Sequence, residues 1–185
     1  DKAEPYNEFD VPNPANVYGQ SKLAGEQIVS SLLRHYYIVR AGWMIGGGEK
    51  DKKFVGMIAR LIMKGTNPVK IVDDKIGTPT YAKDLLGGIH ALLQTGYYGL
   101  YHLVNKGVCS RYDIALLIRE VLEKPEIELL PVSSAYFPLP AARARSEAMR
   151  NLKLELLNVH HMRPWQDALR EYITTQLTPS LPTPS

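Results

Sequence analysis

Short β-prone runs alternate with segments of helical periodicity along this chain, and that order restricts the folds open to it. Strands are predicted over residues 36–40, 69–72, 99–104 and 127–132, and helices over 14–33, 54–64, 81–95, 110–123 and 164–177. Strands separated by helices usually join a sheet as parallel neighbours, because a parallel pair needs a long crossover connection. The sequence therefore predicts an α/β fold that forms one unit over residues 1–177. The Pro-rich segment 178–185 is predicted to be a disordered tail.

Composition and charge limit the partners that we expect. The chain has 185 residues, 45% of them hydrophobic, which suffices for a globular core. Its net charge is +3 and its basic residues are dispersed, so no nucleic-acid surface is expected. It has no run of about 18 apolar residues and no signal-peptide core, so we expect no membrane span and a cytoplasmic location. The single cysteine, Cys109, excludes an internal disulfide, and the five histidines lack metal-ligand spacing.

One pair of residues could carry chemistry. Tyr18 and Lys22 are four residues apart in a predicted helix, so they share one face of it. A phenol is a poor acid or base at neutral pH, but a nearby positive charge favours the phenolate. Such a tyrosine can exchange a proton with a carbonyl or hydroxyl oxygen. The spacing by itself is weak evidence, because the chain contains 11 tyrosines.

The context of this pair is more specific. Residues 16–26 read Asn-Val-Tyr-Gly-Gln-Ser-Lys-Leu-Ala-Gly-Glu, and this segment resembles the active-site helix of the extended short-chain dehydrogenases/reductases. Within them it looks most like the dTDP-4-dehydrorhamnose reductase group, and the resemblance runs over residues 6–177. It implies the C-terminal part of an NAD(P)-binding, Rossmann-like fold together with its substrate-binding portion. The implied Rossmann elements span 14–45 and 81–105, and the implied substrate-binding elements span 46–80 and 106–177.

The resemblance also implies roles in catalysis and cofactor binding. Tyr18 would donate a proton to the keto oxygen of a dTDP-4-keto-6-deoxyhexose as hydride arrives from NADPH or NADH. Lys22 would favour the phenolate and bind the hydroxyls of the nicotinamide ribose. Arg40 and Gly42 would line the nicotinamide at the end of a strand.

Four further residues are candidates for contact with the dTDP-sugar. The indole of Trp43 suits stacking on a pyranose, although an aromatic core role is equally compatible with its position. Thr80 ends a Gly-x-Pro-Thr turn that is expected to be mainly architectural. Arg143 and Arg145 could bind the diphosphate, since guanidinium forks suit phosphate oxygens. Both could instead be solvated charges. The segment departs from the Arg-Pro-x-Asn-Ser pattern of the family, and this departure bears on which sugar nucleotide is the substrate.

The Gly-rich turn of a dinucleotide site is absent from the sequence. No Gly-x-Gly-x-x-Gly occurs, and the three glycines at 46–48 are predicted to form a mobile loop over the site. By resemblance, this turn and the hydroxyl that polarises the carbonyl belong to an N-terminal half that the 185 residues do not contain. We therefore expect the isolated chain to be inactive and to associate with itself or with that half. A sugar-nucleotide epimerase and a non-catalytic module, such as the regulatory subunit of methionine adenosyltransferase, remain alternatives.

Overall fold

A computed structural model describes residue 2 and residues 4–137, 144–159 and 161–178. The helices are α1 (Val17–Leu32), α2 (Phe54–Met63), α3 (Ala82–Leu93), α4 (Arg111–Val121), α5 (Leu152–Leu157) and α6 (Trp165–Tyr172), the last continuing into a π-helical turn at Ile173–Leu177. The strands are β1 (Tyr37–Arg40), β2 (Trp43–Ile45), β3 (Val69–Val72), β4 (Ile76–Gly77), β5 (Pro79–Tyr81), β6 (Gly99–His102), β7 (Cys109–Ser110), β8 (Leu129–Val132) and β9 (Ser146–Glu147).

Strand pairing is mostly parallel, as the alternation of strands and helices predicts. β1 pairs with β6, β2 with β5 and β3 with β8, and each of these pairs is parallel. β4 lies between β7, to which it is antiparallel, and β9, to which it is parallel. The predicted α/β class is confirmed. The two- and three-residue strands were not predicted, because they are too short to show a period of two.

The larger hydrophobic core lies between α2, α4, α6 and the β3–β8 pair. In α2, the buried residues Val55, Ile58, Ala59 and Ile62 follow the i, i+3, i+4, i+7 spacing of one helix face. Ser110 caps α4 by accepting a hydrogen bond from the backbone N–H of Asp113, whose carboxylate in turn accepts from the Ser110 N–H. This reciprocal capping box fixes the start of α4 at Arg111, whose side chain lines the cavity described in the next section.

A second, smaller core joins α3, β6 and α5. Its buried members are Leu92, Tyr101, Leu103, Leu154 and Met162. Arg163, just before α6, ties α3 to α6. It donates from Nε and Nη2 to the two carboxylate oxygens of Asp84 in α3, both at 2.9 Å, and from Nη1 to the Glu171 carboxylate in α6 at 2.7 Å. The hydrogen bonds to Asp84 are the main reason that the pKa of Arg163 lies above its ordinary value.

The glycines at 46–48 lead into an anchored segment. All three have positive φ angles, which only glycine adopts without strain, and a 3₁₀ turn follows at Gly48–Lys50. Asp51 is buried, and its carboxylate accepts a hydrogen bond of 2.9 Å from the hydroxyl of Tyr172. This bond fastens the segment to the end of α6.

Candidate substrate pocket and proton-transfer pair

The predicted tyrosine–lysine pair lies on the outer surface of α1. Asn16 caps the helix, and its Oδ1 accepts a hydrogen bond of 2.9 Å from the Gly19 N–H. Tyr18 is 72% exposed, and the ammonium nitrogen of Lys22 lies 5.4 Å from the centroid of its ring. The two side chains are therefore neighbours on one face, as their spacing requires, and both are accessible to a ligand.

Arg40, at the end of β1, forms a fork with Glu26 of α1. Its Nε donates to Oε1 at 2.8 Å and its Nη2 donates to Oε2 at 2.5 Å. The guanidinium is therefore already paired with a carboxylate of this chain. That Arg40 lines a nicotinamide stays a prediction.

Gly42 and Thr80 lie together where β2 pairs with β5. Thr80 is fully buried, and its hydroxyl accepts a hydrogen bond of 3.0 Å from the Gly42 N–H. A β-carbon at Gly42 would lie 2.0 Å from the carbonyl oxygen of Thr78, so only glycine permits this close approach. The observed contacts of both residues are internal, and a role for either in ligand binding stays a prediction.

A cavity of about 600 Å³ opens between α2, β3, β4 and the start of α4. Its lining combines aromatic rings, aliphatic side chains and cations. The lining residues that carry the argument below are Trp43, Phe54, Lys70, Lys75, Arg111 and Glu147. Tyr18, Lys22 and Arg145 do not line it.

Trp43 is held on several sides within this cavity. Its indole N–H donates to the Glu147 carboxylate at 2.7 Å, and the guanidinium carbon of Arg111 lies 3.7 Å from its ring centroid. Gly77 lies against the six-membered ring so closely that a β-carbon there would be 2.4 Å from Cε2 and Cζ2. The indole orientation is thus defined by three different elements.

The charge of the cavity is mainly positive. Among the described lining residues, Lys70, Lys75 and Arg111 carry cations, and Glu147 carries the one carboxylate. Lys70 also donates to the hydroxyl of Tyr136 at 2.5 Å. Sequence reasoning missed these three cations. A signal existed for Lys70, which alternates with buried neighbours in β3 and therefore faces away from the core.

Of the two arginines predicted to bind diphosphate, Arg145 can be placed, and it does not line this cavity. Arg145 is exposed, and its carbonyl accepts a hydrogen bond of 2.9 Å from the Ile76 N–H. Arg143 lies outside the described residues. Contact of either residue with a diphosphate stays a prediction.

Buried His102 ends β6, beside Arg40 in the parallel register. Its backbone N–H donates to Glu8 at 3.0 Å, and its Nδ1 lies 3.2 Å from the carbonyl oxygen of Arg150. Burial lowers the pKa of the His102 imidazole below its ordinary value, and the charge of Arg40 acts in the same direction. Glu8 and the backbone carbonyls of Arg150 and Tyr6 oppose the shift.

Parallel strands joined by helices, a tyrosine–lysine pair on one helix and an aromatic, cation-lined cavity define a domain of the short-chain dehydrogenase/reductase class. The match to known families is specific: residues 1–178 match the RmlD substrate binding domain. The chain belongs to that family, and the predicted resemblance is confirmed.

Individual relatives give the same result. The chain is 38% identical over 166 residues to a dTDP-4-dehydrorhamnose reductase of Mycobacterium tuberculosis. The aligned region covers 89% of this chain and 54% of that protein. Its fold is similar to the dTDP-4-dehydrorhamnose reductase of Yersinia enterocolitica, with a TM-score of 0.86, 38% identity and coverage of 94% and 61%. It is also similar to the Bacillus anthracis enzyme in complex with NADP, with a TM-score of 0.87, 37% identity and coverage of 94% and 60%. The chain thus spans little more than half the length of the relatives it matches.

The residues present fit part of a dinucleotide site. Tyr18 and Lys22 are exposed and make no hydrogen bond to another element within the described ranges, so ribose hydroxyls could reach them. The N–H of Gly42 and the fork of Arg40 are already engaged. With no Gly-x-Gly-x-x-Gly in the sequence, these residues do not complete a pyrophosphate cradle.

In the part of the chain that is described, no helix has the length and hydropathy of a membrane span. The same residues contain no cluster of three or more histidine, cysteine or acidic side chains suited to a metal ion.

Proposed function

We propose that this chain supplies the substrate pocket and the proton donor of an NADPH- or NADH-dependent reductase acting on a dTDP-4-keto-6-deoxyhexose. The observation that carries the proposal is the cavity at Trp43. An indole face offers stacking to a sugar or a base, and Phe54 adds a second aromatic surface. Arg111 and the two lysines supply the charge that a diphosphate needs.

In the proposed reaction, the Tyr18 hydroxyl gives its proton to the 4-keto oxygen of the sugar. NADPH or NADH, when bound, supplies the hydride that reduces the carbonyl carbon. The carbonyl thereby gains one hydride and one proton and becomes a hydroxyl, and Tyr18 is left as a phenolate. The Lys22 ammonium beside the ring stabilises that anion until solvent returns the proton.

Association with further polypeptide is part of the proposal. α1 exposes Val17, Ile28 and Leu32, and β1 pairs only with β6 within the described ranges. A two-stranded parallel sheet with an open edge and an uncovered helix is unusual, since parallel sheets are normally covered on both faces. We propose that either the remaining half of the reductase architecture or a second copy covers them, and that the former supplies the Gly-rich turn.

The first test is a pair of titrations on the 185-residue chain. We expect dTDP to bind and to shift the indole N–H signal of Trp43 in a ¹⁵N-resolved NMR spectrum, whereas NADPH and NADH bind weakly. The mass in solution is measured in parallel and is expected to exceed that of a monomer. Tight stoichiometric binding of NADPH by a monomer would contradict this division of the sites.

The second test addresses Tyr18 in a preparation with turnover. Tyr18→Phe should lower kcat by about 10²–10⁴-fold, the range of general acid catalysis, with little change in dTDP affinity. Tyr97→Phe, at another exposed tyrosine, is the matched control and should leave kcat unchanged. An unchanged kcat in Tyr18→Phe would remove Tyr18 from the mechanism. Change of sugar configuration without net consumption of NADPH would favour the epimerase.

The third test compares the arginines. Arg111→Ala should weaken binding of dTDP by about 1.5–3 kcal/mol, the range for hydrogen bonds to charged groups. Arg143→Ala and Arg145→Ala are compared with it by calorimetry, and whichever contacts the diphosphate should show the same loss. NADPH affinity should not change in any of the three. An equal loss of affinity for dTDP and for NADPH would indicate a folding defect.

A further inference from the structure

The helix that carries Tyr18 and Lys22 is attached to the rest of the described chain by a narrow surface. α1 has no buried residue. Its half-buried positions are Gly19, Leu23, Glu26 and Val29. They form a single stripe along one side of the helix, and its aliphatic members are Leu23 and Val29.

Glu26 is the polar attachment within that stripe. Among the described residues, no other side chain of α1 forms a hydrogen bond or ion pair with a different element. Glu26 lies one turn after Lys22 and two turns after Tyr18 on the helix. Its partner, Arg40, is the last residue of β1, which is paired along its length with β6.

The geometry of the pair restricts direction as well as distance. Two parallel N–H···O bonds, at 2.8 and 2.5 Å, place the guanidinium and the carboxylate in one fork. The side chains are only 22% and 20% exposed, so solvent competes little for them. A fork that joins a strand end to the middle of a helix restricts rotation of the helix about its axis.

We propose that Glu26 and Arg40 are positioning residues that set the rotation of α1 and thereby present Tyr18 and Lys22 to the substrate. The proposal rests on the proposed function of that pair. Arg40 then acts through Glu26 and not by touching the cofactor, which differs from the role that the sequence resemblance implies for it.

The primary experiment is amide hydrogen exchange of the full 185-residue chain, resolved by NMR. Glu26→Gln keeps the shape of the side chain and removes its charge. An undocked helix of 16 residues is marginally stable in water, so exchange in α1 should become about 10-fold faster or more. Exchange in α4 should not change, and the ring signals of ¹³C-labelled Tyr18 should shift.

Three further variants separate positioning from general stabilisation. Arg40→Lys keeps the charge without the fork and should give an intermediate rate in α1. The exchanged pair Glu26→Arg with Arg40→Glu should restore slow exchange. Glu120→Gln is the matched control, because it removes a 2.8 Å ion pair that joins α4 to Arg170 of α6 and includes no residue of α1. It should leave α1 exchange unchanged.

No nucleotide enters these measurements, so failure of the proposed reaction would not alter their outcome. Wild-type exchange of α1 in Glu26→Gln would overturn the proposal. Equal acceleration throughout the chain, or no recovery in the exchanged pair, would overturn it as well. In a preparation with turnover, Glu26→Gln should lower kcat and leave the KM for the dTDP-sugar unchanged, because the cavity is built from other elements.

Discussion

A single methyl group at Gly77 should disrupt the candidate pocket. A β-carbon there would lie 2.4 Å from Cε2 and Cζ2 of Trp43 and 2.8 Å from Cδ2. Carbon atoms in contact normally lie about 3.5–4.0 Å apart, so Gly77→Ala must displace the indole. Displacement by about 1 Å or more would break the 2.7 Å hydrogen bond to Glu147 and disturb the stacking with Arg111.

The expected loss has two parts. Overpacking in a well-packed site destabilises by about 1–3 kcal/mol. Breaking the hydrogen bond to the charged acceptor Glu147 costs about a further 1.5–3 kcal/mol. Because this bond is exposed, water can replace it and reduce that cost. We expect Gly77→Ala to lower the free energy of unfolding by about 2–4 kcal/mol. Affinity for dTDP should fall about 10-fold or more, since the stacking surface has moved.

The assay combines urea unfolding, dTDP calorimetry and the indole N–H signals. The chain has only two tryptophans, so the signal of Trp43 is readily distinguished from that of Trp165. Gly87→Ala is the matched control: a β-carbon there meets no atom within 4 Å, and alanine in a helix should stabilise by about 0.5–1 kcal/mol. Wild-type stability and affinity in Gly77→Ala would refute the packing argument.

Three other perturbations test the fold around the site. Burial lowers the pKa of His102, so near pH 6 the unfolded chain binds a proton that the folded chain does not. The free energy of unfolding should therefore fall as the pH drops below about 6.5, and His102 can contribute at most about 1.4 kcal/mol per pH unit to this fall. Urea titrations of His102→Gln should show a smaller fall over the same pH range. Asp84→Asn removes one of the two charged partners of Arg163, the other being Glu171. It should lower the free energy of unfolding by about 1.5–3 kcal/mol in urea titration, and a smaller loss would show that the network is dispensable. Ser110→Ala removes the capping box of α4 and should lower the free energy of unfolding by about 1 kcal/mol, measured by calorimetry. A melting temperature equal to that of the wild type would contradict this.

The sequence by itself determined the class of fold and the proximity of Tyr18 and Lys22. Helical periodicity marked α2 to within a few residues, because a helix must bury one face and its sequence records which one. The cap at Ser110 and the acidic first turn marked α4. The order of strands and helices predicted parallel pairing for a different reason, because the helices supply the long crossover connections that parallel strands need. Tyr18 and Lys22 are neighbours through helix geometry alone, so their spacing was sufficient to place them together.

Tertiary structure alone decided the pocket. Trp43, Lys70 and Arg111 are separated by tens of residues, and they meet only because crossovers and strand register bring their elements to one cavity. The short strands β4, β7 and β9 that frame this region have two residues each, too few to carry a periodic signal. The fork between Arg40 and Glu26 likewise depends on how α1 docks on β1, and no local pattern specifies that packing.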